Sequence, residues 1–232
     1  MVVLTANERL ALERLEERKR PVRRGATLQR ERERTGDVFI LRQGMMMSSM
    51  LLDDGSRQIL RVHFAGDMLA ASALVYREAT ETLTALTDCI VAPFDRAAFT
   101  RLFTDHPRLT ALIMVYNQIE RAALTDRLAA LGRTSAKVRV AAILIEMRNR
   151  LRMRDKTITT RFVLGLTQEE IGDATGLTAV HVNRMLRQLE DERMIAREGG
   201  RVIFLDESGL GRIANFVDRY AKLDLSWLPE PS

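Results

Sequence analysis

Over the first hundred positions the chain alternates short apolar segments with glycine. Gly25, Gly36, Gly44, Gly55 and Gly66 recur every 8 to 11 residues, the spacing of strands in a sandwich or barrel. The segments 38–42, 45–52, 59–64, 83–86 and 90–94 are rich in Val, Ile, Leu, Met and Phe, several with alternating apolar and polar positions. Between two of them Asp54-Gly55 predicts a hairpin turn, because glycine accepts the positive φ the turn demands. Met45, Met46 and Met47 predict an adaptable core strand, with a soft-metal site as the alternative.

From Asp95 the period lengthens. Phe99, Leu102 and Phe103 form a short helical stripe, and after Pro107 the residues Leu109, Leu112, Tyr116, Ile119 and Ala123 step by three and four. That is one seam of a long helix, and a partner helix from a second copy is expected to cover it. Packing on its own sandwich is the alternative. Gly132 stops this helix and Ser135 caps the next, which runs through Val138, Ala141, Ala142, Ile145 and Met147 toward Arg152. A domain boundary is expected near residue 133. The basic run 148–156 reads as a solvated helix end and linker.

The segment from Leu166 to Glu190 carries the most specific pattern. Thr167 precedes a helix with Glu170 three residues on, a capping box. Ile171 and Ala174 face inward, Gly172 permits close helix crossing, Gly176 supplies the turn and Leu177 buries beneath it. Thr178 then caps a second helix whose Val182, Leu186 and Leu189 form the core edge. This is a helix-turn-helix. The outer face holds Ala179, Val180, Asn183, Arg184 and Arg187, with His181 at its border. Arg184 can donate two hydrogen bonds to guanine, Asn183 can reach a base edge or phosphate, and Val180 can meet a thymine methyl. Thr167 and Gln168 at the first helix start complete the contact set. The segment 194–205 then reads strand, Gly199-Gly200 turn, strand: a wing. Its Arg197 and Arg201 can grip the sugar-phosphate backbone or simply line a polar hairpin edge. Helix pairs of this kind also occur in proteins that never touch DNA.

Composition adds bounds. At 232 residues, 46% hydrophobic and 29% charged, the chain is long enough for one large or two ordinary domains. No apolar run approaches the roughly 18 residues of a membrane span, and the N-terminus has no secretory pattern, so a cytoplasmic protein without a membrane is expected. The formal charge of +5 favours a polyanionic partner, yet neither half is a basic tail: residues 1–133 hold 20 Lys plus Arg against 17 Asp plus Glu, and 134–232 hold 16 against 14. Arginine supplies 32 of the 36 cations, which suits bidentate phosphate and base contacts but also follows from coding bias. Cys89 is the single cysteine, so an internal disulfide is excluded; it is read as a small buried hydrophobe, with a redox switch as the alternative. His63 is read as a strand residue and His106, before Pro107, as a loop residue. No glycine-rich phosphate loop, metal-ligand cluster or Gly-x-Ser-x-Gly stands in the sequence. No catalytic residue, metal or cofactor is assigned, and an enzyme is not expected.

The order of parts resembles the superfamily of the cyclic-AMP receptor protein and the fumarate-nitrate reduction regulator, the CRP/FNR bacterial transcription regulators. The likeness lies in Arg24-Gly-Ala-Thr-Leu, Val38-Phe-Ile-Leu-Arg-Gln-Gly44 and Phe64-Ala-Gly-Asp-Met-Leu, and more specifically in Leu166-Thr-Gln-Glu-Glu-Ile-Gly, Gly176-Leu-Thr, Val182-Asn-Arg184 and Leu189-Glu-Asp-Glu-Arg-Met-Ile195. It implies an α+β fold: a β jelly-roll, cyclic-nucleotide-binding-like sensor domain (1–106), a dimerisation helix and hinge (107–133), and a winged helix-turn-helix (134–232). It also implies a homodimer on a pseudo-palindromic duplex, with RNA polymerase as a partner. The departures matter as much. Where the family's cyclic-nucleotide binders place a ribose-binding glutamate and a phosphate-binding arginine, this chain has Ala70-Ala-Ser72 and Ala79-Thr80-Glu81. A cyclic phosphate loses its main attraction and meets a negative charge there, so cyclic AMP is not expected as effector. The N-terminal cysteine cluster of the oxygen-sensing branch is absent, and Val180 stands where many relatives place a glutamate. The rival reading is a protein-binding signalling module without DNA readout.

Overall fold

The computed structural model describes residues 3–221 and 223–230. Two antiparallel four-stranded sheets build the N-terminal part. One has the order β1-β8-β3-β6, from Arg20–Val22, Cys89–Phe94, Val38–Gln43 and Met68–Leu69; the other is β2-β7-β4-β5, from Thr27–Gln29, Thr82–Ala85, Met45–Leu51 and Arg57–Phe64. Strands far apart in sequence are therefore neighbours, the crossing order of a jelly roll. Inward-pointing Phe39, Leu41, Met46, Leu69, Leu83 and Val91 fill the core between the sheets. Met46 and Met47 are buried, as a Met-rich core strand requires. The hairpin joining β4 and β5 turns at Gly55 with φ 83°.

One helix of this part escaped the pattern reading. Helix α1 (Ala6–Leu15) starts in a capping box, Thr5 with Glu8, and is anchored by a buried ion pair in which Arg108 Nη1 donates to both Glu8 oxygens at 2.9 and 3.0 Å. Burial alone raises the Glu8 carboxyl, but the Thr5 N–H and the Arg108 guanidinium outweigh it and hold the group below its ordinary value. Helix α2 (Arg96–Asp105), which the stripe of Phe99, Leu102 and Phe103 predicts, is capped by Asp95; its Phe99 stacks on Phe94 and meets Phe103 edge-on.

Helix α3 runs Pro107–Arg133 and α4 runs Ala136–Arg154, capped by Ser135. The basic run at the end of α4 is not uniformly solvated. Arg148 is 2% exposed: its guanidinium lies over the Phe204 ring, donates to Thr159 O and pairs with Glu207. Arg150 is buried as well. A solvated stretch begins only at Arg152.

The remaining elements are β9 (Arg161–Val163), α5 (Gln168–Thr175), α6 (Ala179–Asp191), β10 (Ile195–Glu198), β11 (Arg201–Phe204) and α7 (Glu207–Ala214). The wing sheet has three strands, β10-β11-β9, and the sequence reading held only two of them. Compact units do not follow the chain consecutively. One comprises the described residues of 1–48, 62–124 and 219–232, the other 49–61 and 125–218. The outer end of the β4–β5 hairpin thus belongs with the helix-turn-helix. In the first unit the Tyr220 hydroxyl donates to Glu120 on α3.

Candidate nucleic-acid interface

Helix α6 is fixed at its start by backbone chemistry. Thr167 and Glu170 form the reciprocal capping box: the Thr167 hydroxyl accepts from Glu170 N at 3.1 Å and the Glu170 carboxylate from Thr167 N at 2.7 Å. The α5 helix ends at Gly176, left-handed at φ 65°, a conformation glycine adopts without a Cβ penalty. At Gly172 the next turn passes so close that a Cβ would overlap the Leu177 carbonyl oxygen, while Leu177 N–H donates to Gly172 O at 3.0 Å. Thr178 then caps α6, its hydroxyl accepting from His181 N at 3.3 Å.

One side of α6 is core: Val182, Met185, Leu186 and Leu189 are buried. The opposite side presents Val180, His181, Arg184 and Arg187 to solvent, with Ala179 and Asn183 half-buried beside them. Val180, Arg184 and Arg187 are spaced i, i+4, i+7 and so form one stripe. Thr167, Gln168 and Thr178 are exposed. The two cap hydroxyls accept backbone N–H groups and keep their own protons to donate outward.

The wing places its two arginines differently. Arg201 is exposed beside the Gly199-Gly200 turn, whose φ values of 54° and 76° are both positive. Arg197 instead turns back onto α6, donating to Glu190 at 2.6 Å; that bond holds the Glu190 carboxyl below its ordinary value. It is a strut between wing and α6, so its charge is already engaged. Three further ties escaped the sequence reading because their partners are remote. Lys137 holds Glu192 at the end of α6 at 2.9 Å. Arg57 pairs with Asp173 of α5 at 2.7 Å, and Gln58 donates to Asp173 O at 2.7 Å. Arg127 pairs with Glu146 and donates to Leu60 O.

The seam expected on α3 divides in two. Leu109 and Ile119 are already buried within the single chain, Leu112, Tyr116 and Ala123 are half-buried, and the exposed apolar side chains are Met114, Leu124 and Leu128. The two buried residues offer little surface to a partner helix, Leu109 being 3% and Ile119 8% exposed within the single chain. In the β part, Ala79 is buried and exchanges backbone hydrogen bonds with Arg32 and Glu33. Cys89 is buried, and burial pushes its thiol up, with Sγ–H directed at the Met45 and Thr87 carbonyls. No group of three His, Cys, Asp or Glu side chains suited to a metal stands among the described residues. No helix of the described residues is long and apolar enough to cross a membrane.

Known proteins share this arrangement. Residues 19–106 match the cyclic nucleotide-binding domain and residues 138–213 the Crp-like helix-turn-helix domain. The transcriptional activatory protein AadR of Rhodopseudomonas palustris is 31% identical over 176 residues, 75% of this chain and 72% of that one. The fumarate and nitrate reduction regulatory protein of Escherichia coli is 25% identical over 218 residues, 94% of this chain and 87% of its own. Among solved structures, FixK2 from Bradyrhizobium japonicum superposes with a TM-score of 0.76 at 24% identity, covering 87% of this chain and 98% of its own. A jelly roll matched by the cyclic nucleotide-binding domain and a winged helix-turn-helix matched by the Crp-like domain stand on one chain in this order, and the chain belongs to the CRP/FNR family of transcription regulators.

Proposed function

We propose that the protein is a sequence-specific DNA reader that acts as a homodimer, each copy laying α6 in the major groove of one half-site of a pseudo-palindromic duplex. The carrying observation is the stripe of Val180, Arg184 and Arg187: it stands in solvent on a helix whose other side and both ends are fixed by the chain itself. Arg184 is the guanine reader, Asn183 and His181 flank it, Arg187 and Arg201 contact phosphate, and Thr167, Gln168, Thr178 and Ala179 sit against the backbone and groove edge. Two-fold symmetry then requires half-sites about one helical turn apart, roughly 34 Å. The dimer forms along α3 through Met114, Leu124 and Leu128, with Leu112, Tyr116 and Ala123 at its border. RNA polymerase is the further protein partner.

The effector is not cyclic AMP. Ala79 offers no cation where a cyclic phosphate would lie, and Glu81 follows two residues on; calorimetry with cyclic AMP is expected to show no micromolar heat. The deciding experiment is selection of sites from random duplex DNA with the purified protein, repeated with Arg184→Ala. A palindrome enriched by the native protein and lost in the variant is expected. Absence of any enriched sequence overturns the reading and favours a protein-binding module.

A further inference from the structure

At 80% exposure Val180 is the most solvent-exposed large apolar side chain among the described residues. It lies in the first turn of α6, the turn that a helix of this kind directs at base edges. Neither packing nor local propensity accounts for it. A side chain 80% exposed buries little apolar area in the fold, and a β-branched residue is a weaker helix former than alanine at an exposed position. Nor can this turn read a base edge through a carboxylate, because it contains no acidic residue. What it offers is methyl groups: the two of Val180, whose stiff χ1 fixes their direction, and that of half-buried Ala179 beside it. The only methyl group presented by the bases in the major groove is the C5-methyl of thymine.

We propose that Val180 is a specificity-determining residue that packs on the 5-methyl of a thymine in each half-site. Arg184, four residues further along the same stripe, is about 6 Å away along the helix axis, roughly two base-pair steps of about 3.4 Å. The thymine therefore lies within about two base pairs of the guanine that Arg184 binds. This rests on the duplex-reading function above.

The test uses the full-length protein and the duplex enriched by site selection. Each thymine near the Arg184 guanine is replaced in turn by deoxyuridine, which removes only the methyl group, and affinity is measured by fluorescence anisotropy. One thymine per half-site is expected to be methyl-sensitive, its replacement weakening binding about fourfold, the effect of one buried methyl-sized group. Val180→Ala is expected to bind the thymine and deoxyuridine duplexes equally. Val180→Glu is expected to shift the preferred base at that position from thymine to cytosine, whose amino group a carboxylate accepts. Native protein indifferent to every thymine methyl, or Val180→Ala retaining the full methyl sensitivity, overturns the inference while leaving DNA reading intact. Failure of site selection itself overturns the DNA reading instead, so the two outcomes stay distinct.

Discussion

Alanine at Gly172 tests the helix-turn-helix geometry where it is tightest. A Cβ built there overlaps the Leu177 carbonyl oxygen and stands 3.4 Å from its carbon and 3.6 Å from Ala179 N. Those are backbone atoms of the turn, so no side chain can swing aside. Restoring ordinary contact requires the turn to retreat on the order of 1 Å. Overpacking of this kind costs about 1–3 kcal/mol and weakens the Leu177 N–H to Gly172 O bond, itself a contribution of about 1 kcal/mol. Helix propensity offsets about 1 kcal/mol. The net destabilisation is about 1–3 kcal/mol, or a Tm drop on the order of 5–15 °C for a domain the size of the winged helix. Gly211 in α7 provides the control: nothing lies within 4 Å of its Cβ position, so Gly211→Ala is expected to leave Tm unchanged or raise it. Circular dichroism melts of the two full-length variants give the comparison, and DNA affinity well below the melt reports whether α6 is displaced. Equal melts for the two variants, with native DNA affinity in Gly172→Ala, would refute the close-crossing argument.

Arg148→Ala removes a buried guanidinium together with its Thr159, Glu207 and Phe204 contacts; because Glu207 can rehydrate, a loss of roughly 2–3 kcal/mol is expected in urea unfolding. The Glu207 carboxyl is held below its ordinary value by the Arg148 bond, as Glu190 is by Arg197. Both folded pKa values lie below the unfolded ones, so this stabilisation is full above the ordinary carboxylate range and disappears as pH falls through the folded values. Glu207→Gln is therefore expected to lower stability at neutral pH and to flatten the acid limb of a stability-pH curve, and an unaltered limb counts against the pair. Leu128→Glu places a charge on the exposed side of α3 and is expected to yield single-copy protein in sedimentation, whereas an intact dimer would move the seam elsewhere. Arg201→Ala is expected to reduce the salt slope of DNA binding by about one, while Arg197→Ala lowers Tm with little change in that slope; equal slopes for native and Arg201→Ala would remove the wing from the backbone contact.

What the sequence made legible was local. Glycine spacing marked the strands, and the capping patterns at Thr167 and Thr178 marked both helices of the reading head, because each is decided within a few residues. The same Thr-x-x-Glu pattern begins α1 at Thr5, yet that helix was missed: its surroundings are charged on most sides, and what anchors it is Arg108, a hundred positions away. Arg148 was hidden for the same reason, since Phe204 and Glu207 bury it from another element. The α3 seam shows a different limit. Leu109, Leu112, Tyr116, Ile119 and Ala123 share one helical stripe in steps of three and four, whereas the exposed Met114, Leu124 and Leu128 lie on another side, ten and four residues apart. Periodicity finds the first, but only the packed structure reveals that the chain has covered part of it and left the other three side chains exposed.

The fate of the cations explains why net charge is a poor guide to this surface. A formal excess of five suggests a broadly basic protein, but many arginines are occupied inside the chain. Arg57 holds α5 through Asp173, Arg148 ties α4 to Glu207, and Arg197 ties the wing to α6, while Lys137 does the same from α4. These pairs neutralise charge and at the same time immobilise the helix-turn-helix. No ion pair of the described residues engages Arg184, so in the proposed complex its guanidinium reaches a duplex without first breaking an internal bond. A guanidinium aimed by a rigid helix loses less freedom on binding than one on a mobile loop, and two parallel donors discriminate guanine only when their direction is set. In the proposed complex the internal pairs therefore contribute to specificity without contacting DNA: they fix the frame from which Arg184 reads.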